Sequence, residues 1–147
     1  TPRSSSAASD VYKRQALMLG ESGLTKLERE MIAVTVSSEN HCFYCLVAHG
    51  SAVRELSNDP QLGERIAANF RSAELPKKQE ELLNFTKKLT KDPSEIGEND
   101  RKKLRDVGYT DRDIWDISAI VGLFNMTNRL ASATEMEPNN NYHNLAR

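Results

Sequence analysis

Twice in this chain a threonine is followed three residues later by a carboxylate, and then by a long stretch rich in apolar side chains. Thr25 and Glu28 open "TKLEREMIAVTVSSEN"; Thr110 and Asp113 open "TDRDIWDISAIVGLFNMTNRLASATEM". In such a capping box each side chain satisfies a backbone N–H that the first helical turn leaves unpaired, so the pattern marks a helix start. Along the first stretch Leu27, Met31, Val34 and Ser38 fall on one helical face, and Leu24, Ile32 and Val36 widen it. The segment "IAVTV" is β-branched and by itself suits a strand, but the capping box and the length of the stretch favour helix. Along the second, Ile114, Trp115, Ile117, Ile120, Val121 and Phe124 wrap beyond one stripe. A helix of that kind is central to its own domain or shared with another subunit. Trp115 and the Phe124/Met126 stripe are therefore expected in a core or a subunit interface.

The rest of the chain agrees with an all-α fold, because strand signals are nearly absent. A helix is expected from about Cys42 to Leu56. A third starts at "NDPQLGERIAANF", with Asp59 as cap and Pro60 in the first helical position. A fourth is "LPKKQEELLNFTKKLTKDP", with Leu82, Phe85 and Leu89 on its inner face, and it closes before Pro93. A short fifth helix, "ENDRKKLRDVGYT", ends at Gly108 as a left-handed cap. The turn-rich end, "EPNNNYHNLAR", is expected on the surface or against a partner. The 147 residues suffice for one domain with a real core. Residues 1–15, "TPRSSSAASDVYKRQ", are Ser/Ala-rich without a periodic apolar face. They are expected to be a tail, disordered or adapter sequence joined to a truncated gene, leaving 16–147 as the domain. Charges nearly balance, at a net −1, which gives no support for nucleic acid or an anionic membrane as partner. No apolar run approaches the ~20 residues that span a bilayer, and the chain is expected in the cytoplasm.

Both cysteines and two of the three histidines lie in "ENHCFYCLVAHG", residues 39–50. On one helix Cys42, Cys45 and His49 (i, i+3, i+7) share a face. Cys42, following "SSEN", would sit in the first turn, where unpaired N–H groups and the helix dipole favour an anion and lower a thiol's pKa. His49, four residues after Cys45, can take or give that thiol's proton. A thiolate, a second thiol to resolve it and a nearby base are the parts of a dithiol redox cycle. Glu30, twelve residues before Cys42, can face the cysteines if the two helices form an antiparallel hairpin, and can then relay protons.

Two other readings of the same residues stand beside this one. Cys42, Cys45 and His49, with His41 or Glu30, supply four donors for a structural zinc, although zinc modules with one Cys-x-x-Cys usually carry a distant second ligand pair. The cysteines can also simply be buried core residues. His41 reads as a solvated turn residue and Tyr44 as packed against helices. No motif for a nucleotide, flavin or haem is visible: there is no Gly-x-Gly-x-x-Gly and no Cys-x-x-Cys-His. No cofactor is expected, and electrons would come from a thiol partner.

The stretch "LTKLEREMIAVTVSSENHCFYCLVAHG", with the later "LFNMTNRLASAT" and "YHNLAR", resembles the alkylhydroperoxidase AhpD-like branch of the carboxymuconolactone decarboxylase superfamily, and within it the group of peroxidase-related enzymes. The resemblance covers residues from about 16 to the end. It implies an all-α, AhpD-like helical bundle with a central hairpin carrying the Cys-x-x-Cys motif. It also implies homo-oligomers, often trimers or hexamers. The family's proton-relay glutamate falls on Glu30, its two redox cysteines on Cys42 and Cys45 (the latter in the sulfenic-acid role), and its distal histidine on His49. The better studied members carry another histidine just before the second cysteine, where this chain has Tyr44, and an N-terminal segment that this chain is expected to lack. The implied function is a thiol-dependent peroxidase, or dithiol–disulfide oxidoreductase, with an antioxidant role. Its partners would be a small-molecule peroxide and a thiol or dithiol protein reductant. The alternatives are a decarboxylase of the carboxymuconolactone type and a non-enzymatic, zinc-stabilised helical module.

Overall fold

Both capping boxes form. Thr25 Oγ1 accepts from the Glu28 N–H at 3.1 Å, and Glu28 Oε2 accepts from the Thr25 N–H at 2.8 Å. Thr110 and Asp113 do the same. The computed structural model describes residues 13–147, and among these there is no β-strand. Helix α1 covers 13–19 of the described residues. There follow α2 (Lys26–Glu39), α3 (Phe43–Ser57), α4 (Leu62–Asn69), α5 (Lys77–Lys91), α6 (Glu98–Asp106), α7 (Asp111–Ala133) and the short α8 (Asn140–Asn144). Of the expected tail, residues 1–12 lie outside the described residues, and 13–15 are the described beginning of α1.

Helix α2 is the centre of the fold. It packs against α3, α4, α5 and α7, and Met31, Ile32, Ala33, Val34 and Val36 are wholly buried. This explains why "IAVTV" is helix. A β-branched residue gives up roughly 0.5 kcal/mol of helix propensity relative to alanine. Full burial of a Val or Ile side chain is worth about 1.5–3 kcal/mol, so packing outweighs propensity at each position. The capping carboxylate of Glu28 is itself buried, and its second oxygen accepts from the Tyr109 hydroxyl at 2.6 Å. Burial, and then that carboxylate, push the Tyr109 hydroxyl well above its ordinary pKa. Tyr109 therefore stays a hydrogen-bond donor and pins the start of α2 to the turn between α6 and α7.

Helix α3 lies back along α2 as the second arm of a hairpin, and α4 crosses α3 at backbone contact. A Cβ on Gly63 would lie 2.7 Å from the Gly50 carbonyl oxygen, so glycine is required at that crossing. Gly108, at φ 99°, ends α6 as expected. Helix α4 begins later than expected, with Gln61 as its cap. Asp59 instead accepts from the Gln61 N–H in the preceding turn. The C-terminal stretch is more than surface: buried Arg54 on α3 donates to the carbonyls of Tyr142 and Leu145 at 2.9 and 3.0 Å, clamping α8 onto α3. Trp115 is 71% exposed and Leu130 50%, so neither belongs to this chain's own core. Among the described residues no helix is long and apolar enough to cross a membrane.

Candidate active site

The hairpin turn sets the site. Helix α2 closes with Asn40; His41 then takes the left-handed conformation at φ 53°, and the Cys42 N–H returns to the Ser37 carbonyl at 3.0 Å. This is the helix-terminating pattern that glycine usually fills, and histidine in it costs roughly 1–2 kcal/mol. The turn delivers Cys42 as the N-cap of α3, one position before the first turn where the sequence suggested it, and Cys45 as its third helical residue. Both thiols are free and buried, with Sγ atoms 2.7 Å apart.

Burial decides the electrostatics of Cys45. Desolvation, followed by the neighbouring Cys42 thiol, pushes its pKa up to about 12; side-chain hydrogen bonds with Asn128 and Ser37 act in the opposite direction without prevailing. A thiolate here must be stripped of water, and that loss outweighs the hydrogen bonds that favour the charge on Cys45.

Glu30 and His49 meet across the hairpin, Nδ1 to Oε2, at 2.6 Å. An ionised carboxylate accepts from Nδ1–H, which leaves Nε2 free to take or give a proton. The imidazole is buried, and the Phe124 ring of α7 packs edge-on against it with centroids 4.6 Å apart. His49 sits one turn beyond Cys45 on the same helix face. Together with Glu30 and Cys45 it lines a cleft of about 420 Å³, walled by Phe124 and by Tyr142 and Leu145 of the clamped C-terminus. Cys42 does not line that cleft. It lines a second one of about 570 Å³, beside His41, Phe43 and the acidic Glu135 and Glu137. Tyr44 stands between, lining both.

The structure thus joins Cys42 to Cys45 and Glu30 to His49, and opens Cys45, His49 and Glu30 onto one cavity. His41 is exposed in the turn, as expected. Among the described residues no three His, Cys, Asp or Glu side chains converge so as to hold a metal ion; His49 is turned to Glu30 rather than to a sulfur-centred donor set.

Sequence reasoning missed a polar chain behind the dithiol. Asn128 donates to Ser37 Oγ at 2.9 Å, and Asn40 donates to the side-chain oxygens of Asn125 and Asn128, each at 3.0 Å. Ser37 and Asn128 are fully buried. The available signal was two asparagines three residues apart inside the apolar run of α7.

The sequence profile described as "Carboxymuconolactone decarboxylase family" matches residues 11–91, which include Glu30, Cys42, Cys45 and His49. The chain is similar to an uncharacterized peroxidase-related protein from Silicibacter sp. TM1040: 58% identical over 95% of this chain and 73% of the other, with a TM-score of 0.94. It is similar also to an uncharacterized peroxidase-related protein, an alkylhydroperoxidase AhpD core, from Ralstonia eutropha JMP134, at 39% identity, 99% and 76% coverage and a TM-score of 0.96. A protein of unknown function from Agrobacterium tumefaciens, 19% identical with a TM-score of 0.81 over 91% and 90% of the two chains, shares the fold. No curated protein matches the chain.

Proposed function

The chain belongs to the carboxymuconolactone decarboxylase family, in its AhpD-like branch, and within it we propose that this protein is a thiol-dependent peroxidase cycling Cys42 and Cys45 between dithiol and disulfide. The observation that carries this reading is a pair of adjacent thiols, one of which shares a cleft with a histidine–carboxylate couple. The Cys45 sulfur attacks one oxygen of a peroxide, ROOH, and its electron pair breaks the O–O bond. The products are a sulfenic acid on Cys45 and an alcohol, whose oxygen takes up a proton. The Cys42 thiol then attacks that sulfur, water leaves and a disulfide forms. A dithiol reductant returns the two electrons.

With its pKa pushed up to about 12 by burial, the resting Cys45 thiol is protonated at pH 7. A base must therefore accept its proton as the sulfur attacks. His49, held by Glu30, is the base in this reading, and the S–H proton it receives is the one returned to the leaving alkoxide.

The test is a titration of accessible thiols before and after one equivalent of hydrogen peroxide, with metal content read on the same sample. Two thiols should disappear and return with dithiothreitol. Thiols that survive peroxide overturn the reading, and thiols that appear only after chelation move the site to metal binding. The family's name also admits a decarboxylase; lactone decarboxylation that survives thiol alkylation would establish that reaction instead.

We further propose that the protein acts as a homo-oligomer, a trimer or hexamer. Leu19, Trp115 and Leu130 are large apolar side chains exposed at 68%, 71% and 50%, and a second copy of the chain is the partner this reading assigns to them. Sedimentation equilibrium should return a discrete oligomer that Trp115→Glu dissociates. A monomer at micromolar concentration would refute the assembly.

A further inference from the structure

Cys45 stands between two sets of groups, one sharing its cleft and one acting on its thiol from behind. Glu30 and His49 belong to the open cleft; Ser37 and Asn128 do not line it. The hydrogen bonds around Asn128 fix which way its amide points. Asn40 reaches both asparagine oxygens of α7 through its own NH₂, so Asn128 Oδ1 is an acceptor turned toward Asn40. Its NH₂ is then turned the other way, toward Ser37, whose oxygen accepts one of its two hydrogens. That leaves the second amide hydrogen and the Ser37 hydroxyl hydrogen available to a further acceptor. Asn125, which receives the other Asn40 bond, is itself anchored to the Val121 carbonyl at 3.0 Å, so the orientation is held from within α7. The side chain that both Asn128 and Ser37 influence through such hydrogen bonds is Cys45. Cys45 packs on Ala131, one turn along α7 from Asn128, and the Ser37 carbonyl holds the neighbouring Cys42 N–H.

We propose that Asn128 and Ser37 form a buried, uncharged donor site that holds the thiolate of Cys45 as its proton departs, with Asn40 as the positioning residue that sets the amide's direction. The proposal rests on Cys45 being the attacking sulfur. The division of labour is physical. A thiol buried this deeply resists ionisation, and a base alone can remove its proton only against that cost. Two preorganised dipoles aimed at the sulfur lower the cost without adding a titrating group, and they need no reorganisation when the charge forms. Both groups act on the thiol in that direction. The titratable groups that also face this region are Cys42 at the α3 N-cap, Tyr44, His49 and Glu55 from α3, Glu30 from α2, Tyr142 from α8 and Arg14 from α1. None is altered by the substitutions below except Cys42, which is replaced in every sample.

The experiment places Ser37→Ala, Asn128→Ala and Asn128→Asp in a Cys42→Ser background, so that Cys45 is the only thiol. It measures the rate of alkylation by iodoacetamide from pH 7 to 10, with helicity and thermal midpoint checked for each protein. Below the thiol pKa the thiolate population falls tenfold for each unit the pKa rises. Alkylation at pH 9 should slow about tenfold or more in Asn128→Ala, more still in Asn128→Asp, and several-fold in Ser37→Ala, with the whole pH profile displaced upward. Unchanged rates in folded variants overturn the proposal. Should Asn128→Ala not fold, Ser37→Ala removes a single oxygen and decides alone. Alkylation needs no peroxide, so a displaced profile in a protein without peroxide turnover upholds the donor site while refuting the peroxidase reading.

Discussion

Replacing Cys45 with serine should reduce peroxide turnover to the level of a blank without protein, while helicity is retained. Cys45 is the cysteine that opens onto the cleft holding His49 and Glu30, and a serine hydroxyl has neither the acidity nor the polarisable lone pair that attacks an O–O bond. The substitution is nearly isosteric in a buried cluster with Cys42 and Ala131, so the loss will not come from unfolding. Cys42→Ser is the informative companion. It leaves the attacking sulfur and removes the resolving one, so one equivalent of peroxide should be consumed, a sulfenic acid should accumulate, and turnover should then stop. Sulfenic acid is trapped with dimedone and read by mass spectrometry. If Cys45→Ser retains turnover, or if the dimedone adduct forms on Cys42 in the wild-type protein, the assignment of the attacking sulfur is wrong.

The second large effect concerns the proton. Glu30→Gln keeps the shape and a hydrogen-bond acceptor for His49 Nδ1, but removes the carboxylate that this reading pairs with the ring as it accepts a proton. We expect turnover at pH 7 to fall by about 10²-fold, within the range that positioned acid–base groups contribute. The pH dependence should also change form. In the variant the reaction must draw on thiolate already present, and the folded-state pKa is raised from 9.0 to about 12. The rate should therefore climb about tenfold per pH unit through the alkaline range, whereas the intact relay gives a flatter profile. The same shift has a sign for stability. The folded protein holds the Cys45 proton more tightly than the unfolded chain does. The stabilisation that results is complete below the unfolded value and is lost as pH rises above it. A variant with wild-type turnover and an unchanged profile would remove Glu30 from the mechanism.

The parts of this site that were legible in the sequence are the ones built by short-range geometry. A capping box spans four residues, so Thr25/Glu28 and Thr110/Asp113 announced α2 and α7 by themselves. Cys-x-x-Cys spans one turn, so the dithiol was visible before any fold was known. Glu30 and His49 needed one more assumption, an antiparallel hairpin, and the left-handed His41 supplies it. By contrast Ser37 and Asn128 are 91 residues apart, as are Arg54 and Leu145, while Glu28 and Tyr109 are 81 apart. Two asparagines three residues apart in the apolar run of α7 are the only local mark of Asn128; its partners come from the packing of α7 across the hairpin turn.

The main helices and the list of reactive groups were thus determined by the sequence alone, because caps, helical periodicity and one-turn motifs depend on neighbours a few bonds away. What only the tertiary structure decided is the character of those groups. The motif named Cys45 as a reactive sulfur, and burial makes it a reluctant acid, because desolvation is set by every atom that excludes water from the sulfur and not by the residues next to it in the chain. The apolar pattern of α7 likewise left Trp115 to a core or a subunit interface, and the fold covers Phe124 while leaving Trp115 outside this chain's own core. A helix's own sequence states how much of it is apolar; which side finds a partner depends on the bodies packed around it.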